Sequence, residues 1–478
     1  MAALRVVQKG VAEAPVPVGQ RGPASAGVDP ARHELPVPAL LLIAGLTAAI
    51  GVQGAFYRPG QVVLGVFLVV AVGTSLATAS GHRSGLGHLA PVLAAAGALA
   101  TWGLLRAASA GNVADGMPVA LLLTGLALAA GVAARCRPEE REVMSAAMAV
   151  VGGLAALSGW AGVAWHISPL AIVDQGLWRA ATTLTYANAA AGLLAAATLL
   201  AIGLLVKRPT APMSVVVCAL LTGLAATLSR GGVLALLAGG MVLVVGLGPR
   251  RVARAIAAPG AGALLALAGL LPSIPASSPA PPRLIASAAL ALGLATAALG
   301  GRRHQARRVV MPLALLLSVG AIPAVMVGDL GPAARSVAQP RLSVASPDRI
   351  DESRAALRLL SEAPIAGVGP GRAELRWVDG SGRSLTARYT HNEYLQVLVE
   401  LGLVGLLLLL FLLATVGRAV WYGRHSDGSA ELWAGGAAAL TALAVHGLLD
   451  FGWHVPAIPL TGALLVGVLI PTRAKEKA

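Results

Sequence analysis

The sequence predicts an all-α polytopic integral membrane protein. About fourteen transmembrane helices are expected, with one large extracytoplasmic loop that contains a short amphipathic helix. Three observations carry this. The chain is 56% hydrophobic and 12% charged, with a mean hydropathy of +0.77, whereas a soluble domain is about one quarter charged. Apolar runs long enough to cross a hydrocarbon core of about 30 Å recur along almost the whole chain. Those runs lack the polar face that a buried helix of a soluble protein shows to water.

The composition also excludes other classes. A net charge of +15 suggests nucleic acid in a soluble protein. Here the positive-inside rule accounts for it, and no nucleic-acid partner is expected. Cys136 and Cys218 are the only cysteines and have no metal-ligand spacing, so neither a disulfide framework nor a zinc site is implied. Only four of the 36 basic residues are lysine. That bias, with abundant Ala and Gly, suits a GC-rich bacterial background, and it weakens the meaning of any single arginine.

Residues 1–36 are rich in Pro, Ala, Gly and Val, lack a signal-peptide core and read as a disordered cytoplasmic tail. Apolar segments follow at roughly 37–56, 61–80, 86–107, 117–135, 143–165, 188–206, 211–228, 231–248, 253–271, 283–300, 309–328, 393–417, 430–449 and 454–471. The first five, within 37–180, form an N-terminal group of helices. Residues 181–328 form a central group that holds an arginine motif. Residues 329–391 are the single long hydrophilic loop, and 392–478 are the last helices and a basic tail.

Charge fixes the expected orientation. Basic connectors hold Arg83, then Arg135, Arg137 and Arg141, then Lys207 and Arg208. Further along come Arg250, Arg251 and Arg254, the Arg302–Arg308 cluster, Arg418 and Arg424, and the C-terminal tail. They alternate with poorer connectors around 57–60, 108–116, 229–232 and 272–282. This places the basic connectors and both termini in the cytoplasm and the 329–391 loop outside the cytoplasmic (inner) membrane.

The loop holds nine arginines, no lysine and seven acids. Ser346 and Pro347 resemble a helix start, with Asp348, Asp351 and Glu352 in the first turns, and the helix is expected to end near Ala363, before Pro364. Arg354 and Arg358 share one face at i, i+4, and Leu357 and Leu360 are expected to pack on the other. A solvated helix with internal ion pairs accounts for the same pattern. "GVGPG", Gly367 to Gly371, offers either a plain turn or a run of backbone N–H groups facing an anion, with Gly369 and Gly371 as candidate contacts.

"TLSRGGVLAL" puts Arg230 in a tight outer hairpin, with Gly231 and Gly232 as its breakers. An arginine there either reaches head groups or binds an anionic substrate through its planar fork. The low charge of the other outer hairpins favours the second. "HGLLDFGWHVPAI" spaces His446, Asp450 and His454 at i, i+4 and i+8. A metal site is conceivable, but Pro456 and a turn break the stripe, so a structural or supporting role is favoured and no metal is assigned.

The most specific stretch is "THNEYLQVLVELGLVGLLLLL", where Thr390, His391, Asn392 and Glu393 abut a long apolar span. It resembles the signature of the O-antigen ligase and polymerase superfamily: a His-Asn pair, an aromatic residue, a Glu, a Gly and an apolar span. "LSRGG" resembles that superfamily's first arginine motif, "SRAALRLLSEAPIAGVGPG" the start of its outer loop, and "HGLLDFGWHVPA" its penultimate hairpin. The resemblance covers roughly 180–470. It implies a GT-C-like, metal-independent, inverting glycosyltransferase without a cofactor. The donor would be a glycan on a polyprenyl pyrophosphate, and the acceptor a lipid, a protein or a cell-wall glycan. Carried over, Arg230 and Arg354 would bind pyrophosphate and His391 would act at the acceptor hydroxyl. Arg358, Asn392, Glu393, Gly369 and Gly371 would contact substrate, with Asn392 or Glu393 orienting the imidazole.

Two features depart from the family pattern: the loop is short and fourteen spans exceed the usual dozen. A polymerase of lipid-linked repeats would use the same residues. A transporter or flippase would show inverted repeats with broken midplane helices, and no such repeat is visible. A scaffold would not need His391, Arg230 and Arg354 together.

Overall fold

A computed structural model describes residues 35–78, 86–277, 282–302, 347–378, 380, 382–425 and 429–471. Helices α1 (Val37–Gly51), α2 (Arg58–Ala77), α3 (Leu86–Ser109), α4 (Met117–Ala134) and α5 (Pro138–Trp165) come first. A hairpin of β1 (Ala171–Asp174) and β2 (Leu177–Ala180) precedes α6 (Ala187–Lys207), α7 (Ala211–Ala226), α8 (Arg230–Leu247), α9 (Pro249–Leu270) and α10 (Arg283–Arg302). Then follow α11 (Pro347–Glu362), a hairpin of β3 (Leu375–Val378) and β4 (Ser384–Ala387), α12 (Glu393–Gly423), α13 (Ala430–Gly447) and α14 (Ala457–Leu469). The expected segment 309–328 and loop residues 329–346 lie outside the described residues. Each of the other thirteen expected segments is helical.

Nine described helical segments are long and apolar enough to cross a membrane, and α1, α7 and α14 are shorter apolar helices. The protein is a multi-pass membrane protein. Its helix starts follow local chemistry. Pro stands in the first turn of α1, α2, α4, α5, α7 and α9, where its missing N–H costs nothing. Thr210, Ser229, Asn392 and Ser429 cap α7, α8, α12 and α13 through their side chains.

Helix α6 forms the centre. Its Ala- and Gly-rich sequence is buried on almost every side, packed by α13, α8, α7 and α5. Small residues set these distances, since tails of lipid give helices no hydrophobic reason to pair. A Cβ on Gly203 would stand 2.6 Å from the Glu431 carbonyl oxygen and 2.8 Å from the Gly435 Cα. Arg141, read from the sequence as an orienting charge, is buried. It donates to the carbonyl oxygens of Ala134, Cys136, Val468 and Ile470, tying α5 to the ends of α4 and α14.

Helix α12 is not continuous. Gly402 has φ 69° and ψ −170°, a conformation essentially confined to glycine. The break frees carbonyls and N–H groups, and the loop after α11 takes them up. Val368 N–H donates to Val399 O at 3.0 Å and Gly369 N–H to Glu400 O at 2.9 Å, while Leu403 N–H donates to Pro364 O at 3.0 Å. From α3, Trp102 Nε1 donates to Leu401 O at 2.9 Å, and Arg106 donates to Ala366 O and Gly367 O at 2.7 Å each. Non-helical backbone in a membrane-spanning segment requires this kind of cover. The sequence reads as one uninterrupted apolar segment over 393–417.

Two hairpins were also not foreseen. The β1–β2 turn, Gln175-Gly176, has positive φ at both residues, 52° and 74°, as a two-residue hairpin turn demands. The other hairpin, β3–β4, pairs Leu375 with Ala387 and Val378 with Ser384.

Candidate active site

Helix α11 brings an acid to His391. Its buried face is Glu352, Ala355 and Ala356, with Leu359 and Leu360 partly covered, whereas Leu357 is exposed together with Arg354 and Arg358. The expected packing of Leu357 is therefore corrected: positions 352, 355, 356 and 359 form the helical stripe that meets the protein. One Glu352 oxygen accepts the His391 backbone N–H at 2.6 Å and the other lies 2.6 Å from the ring Nδ1. The Glu352 side chain is 5% exposed and the His391 side chain 31%. A carboxylate only accepts, so Nδ1 carries a hydrogen, and in the neutral ring this tautomer leaves the lone pair on Nε2.

The backbone around His391 is held just as firmly. Asn392 caps α12, its Oδ1 accepting from the N–H groups of Tyr394 and Leu395 at 3.0 Å each. Thr390 Oγ1 donates to Asn392 O at 2.6 Å, and Thr390 N–H donates to Gln396 Oε1 at 2.7 Å. Glu393 faces away from His391. It accepts the Trp453 N–H and pairs with His454 Nδ1 at 3.0 Å. The tautomer-setting role expected of Asn392 or Glu393 thus falls to Glu352, which the sequence reading placed only among first-turn acids.

The connection from α13 to α14 is the hub. Phe451 stacks on Tyr186 at 5.0 Å and on Tyr389 at 5.5 Å, and meets His391 edge-on at 5.4 Å. Tyr389 also lies 4.4 Å from His454. The Tyr186 hydroxyl donates to Asp450 at 2.7 Å. Burial pushes this phenol well above its ordinary range, the Asp450 charge adds to that, and Arg349 opposes it. Burial likewise raises Tyr389. Arg349, near the start of α11, donates to Leu449 O at 3.0 Å. The sequence assigned this stretch a supporting role, and its contacts reach Tyr186, Tyr389, His391 and Arg349. His446, Asp450 and His454 do not converge, and the described residues contain no group of three or more metal-ligand side chains.

Arg230 opens α8. Thr227, Leu228 and Ser229 make its turn, with Leu228 at φ 51°, while Gly231 and Gly232 belong to the helix rather than to the turn. Arg179, missed from the sequence, holds this turn: buried on β2, it donates to Thr227 O at 2.9 Å, Asp174 Oδ2 at 2.6 Å and Asn188 Oδ1 at 2.8 Å. Ser229 Oγ joins the same Asn188 oxygen at 3.1 Å. Arg230 Nη1 is buried with no hydrogen-bond partner among the described residues. A Cβ on Gly231 would lie 3.4 Å from Leu449 Cβ, so the first turn of α8 abuts the hub.

The remaining candidates stand apart. Arg354 is 69% exposed and paired with Asp351 at 2.9 Å, and Arg358 is exposed. The glycine turn does not present a row of open N–H groups. Gly367 N–H donates to Ala363 O, Val368 N–H to Val399 O and Gly369 N–H to Glu400 O. Its glycines serve the break in α12: a Cβ on Gly367 would sit 2.3 Å from Glu400 O.

The site therefore joins a histidine with a fixed tautomer, a buried and unpaired guanidinium nitrogen, and an aromatic wall. No curated protein matches the chain. The family model described as O-antigen ligase matches residues 283–410, from the start of α10 past the break in α12, and this segment is where the chain is similar to that family.

Proposed function

We propose that the protein transfers a glycan from a polyprenyl-pyrophosphate carrier to an acceptor at the outer face of the cytoplasmic membrane. Both termini would be cytoplasmic and the 329–391 loop extracytoplasmic. The observation that carries the reading is the Glu352–His391 pair. Its bare Nε2 suits a general base, and a base within reach of the acceptor hydroxyl typically contributes about 10²–10⁴-fold. Arg230 would neutralise the charge that develops on the departing pyrophosphate, as preorganised electrostatic stabilisation. Arg354 and Arg358 would meet the donor from the exposed face of α11, and Arg349 would assist from its first turn. Charge supplied by guanidinium groups needs no metal, and attack by a deprotonated hydroxyl on the carrier-linked carbon inverts it. Tyr186, Tyr389 and Phe451 offer the aromatic faces on which sugar rings rest. Asn392, Glu393, Gly369 and Gly371 act by holding backbone rather than by touching substrate.

A ligase of completed glycans is the leading reading, and a polymerase of lipid-linked repeats would use the same groups. The deciding experiment is the profile of carrier-linked glycans in a strain lacking the protein. Full-length polymer accumulating on the carrier marks a ligase, and single repeat units mark a polymerase. An unchanged profile rejects the enzymatic reading in favour of a transporter or a scaffold.

A further inference from the structure

A second imidazole lies against the start of α8. His446, near the end of α13, is 3% exposed, and its Nε2 is buried with no hydrogen-bond partner among the described residues. Two glycines make room for the ring. A Cβ on Gly192 would stand 2.8 Å from its Nδ1, and a Cβ on Gly231 would stand 3.7 Å from its Nε2. The unpartnered nitrogen therefore lies against the first turn of α8, the turn whose Arg230 carries the other unpartnered nitrogen, Nη1. Ser229 caps only Gly232, at 3.3 Å, and the N–H groups of Arg230 and Gly231 have no acceptor among the described residues.

Orphaned buried donors are rare because each costs about 1–3 kcal/mol. Here two such side-chain nitrogens, Arg230 Nη1 and His446 Nε2, belong to the first turn of α8 and to the ring packed against it, and neither is an acceptor except through the imidazole tautomer. Free N–H groups at a helix start attract anions, and an oxyanion satisfies all of these donors at once. A neutral imidazole protonated on Nε2 is a donor of the same kind.

We infer that His446 is a phosphate ligand, donating from Nε2 to an oxygen of the carrier's pyrophosphate held at the first turn of α8. The inference rests on the proposed function and adds to it a second imidazole besides His391. The hydrogen bond persists as the carrier leaves and involves no proton transfer. His446 thus holds the phosphate while His391 handles the acceptor.

The test is binding of undecaprenyl pyrophosphate to the purified full-length protein in detergent. Wild type is compared with His446→Gln, His446→Asn, His446→Ala and Arg230→Ala. A glutamine amide nitrogen reaches the place of Nε2 and an asparagine nitrogen only that of Nδ1. The expected result is affinity within about threefold for Gln and a loss of about tenfold or more for Asn and Ala, the worth of one charge-assisted hydrogen bond. Should Ala not fold, the Gln–Asn difference decides alone. Equal affinity of Gln and Asn overturns the inference. If only Arg230→Ala binds weakly, His446 is not a ligand while the proposed function stands. If wild type does not bind the compound, both fail.

Discussion

Both carboxylate oxygens of Glu352 serve His391, one through the backbone N–H and the other through ring Nδ1, each at 2.6 Å. The residues are 39 positions apart, and their meeting fixes the position and the tautomer of the imidazole together. Glu352→Gln preserves shape but offers an amide where a carboxylate stood. It is expected to lower kcat by about 10²-fold with little change in donor KM. Steady-state kinetics on isolated membranes check this, and an unaltered kcat would show that the pair is merely structural.

Arg230→Lys keeps the charge and loses the planar fork. Transfer is expected to fall by about tenfold or more, as when a charge-assisted hydrogen bond is lost. A fully active lysine variant would reassign Arg230 to lipid head groups. In the same assay, EDTA is expected to leave the rate unchanged, and inhibition reversed by Mg²⁺ or Mn²⁺ would reject guanidinium-only stabilisation.

The break in α12 depends on Gly402. Its φ is 69°, and a Cβ there would lie 2.2 Å from Ile365 O. Gly402→Ala combines that clash with a conformational cost of about 1–3 kcal/mol, so a lower melting temperature in detergent is expected. Arg106→Lys is expected to act in the same direction more weakly, because lysine cannot serve Ala366 O and Gly367 O as a fork does. A Gly402→Ala protein that melts with wild type would mean that the helix can run straight.

His454 gives a pH dependence. Burial lowers the affinity of its ring for a proton, but the carboxylates of Glu393 and, further off, Glu400 together more than offset this, and the pKa is raised above 6.5. A raised folded-state pKa stabilises fully below the unfolded value, and that contribution is lost as the pH climbs through the folded value. The melting advantage of wild type over His454→Gln is therefore expected to be larger near about pH 6 than near about pH 9. Thermal melts at both values test this, and an advantage that does not shrink contradicts the ion pair.

Much of this was legible because the informative residues are contiguous. His391, Asn392 and Glu393 stand together against a span, and Arg230 stands in the tightest hairpin, so both stretches stand out in the sequence as candidates. Helix α11 was legible too, from Pro347 to the residue before Ala363. Its phase was misjudged because charge drew attention to Arg354 and Arg358, whereas the acid that matters lies on the apolar stripe with Ala355, Ala356 and Leu359. Arg179 and its hairpin were hidden in a polar interval that read as a connector, although Gln175-Gly176 was a turn signal. The break at Gly402 left no local mark, since a glycine in an apolar run also suits close helix packing. The loop from Pro364 to Gly369 and Trp102 of α3, both distant in sequence, take up the groups that the break frees.

The most direct measurement is transfer from a radiolabelled polyprenyl-pyrophosphate glycan in membranes carrying wild type or His391→Ala at equal abundance. Label is expected to leave the carrier with wild type and to stay on it with His391→Ala, while both proteins bind the donor equally. Equal transfer by the two proteins would contradict it and remove His391 from the chemistry.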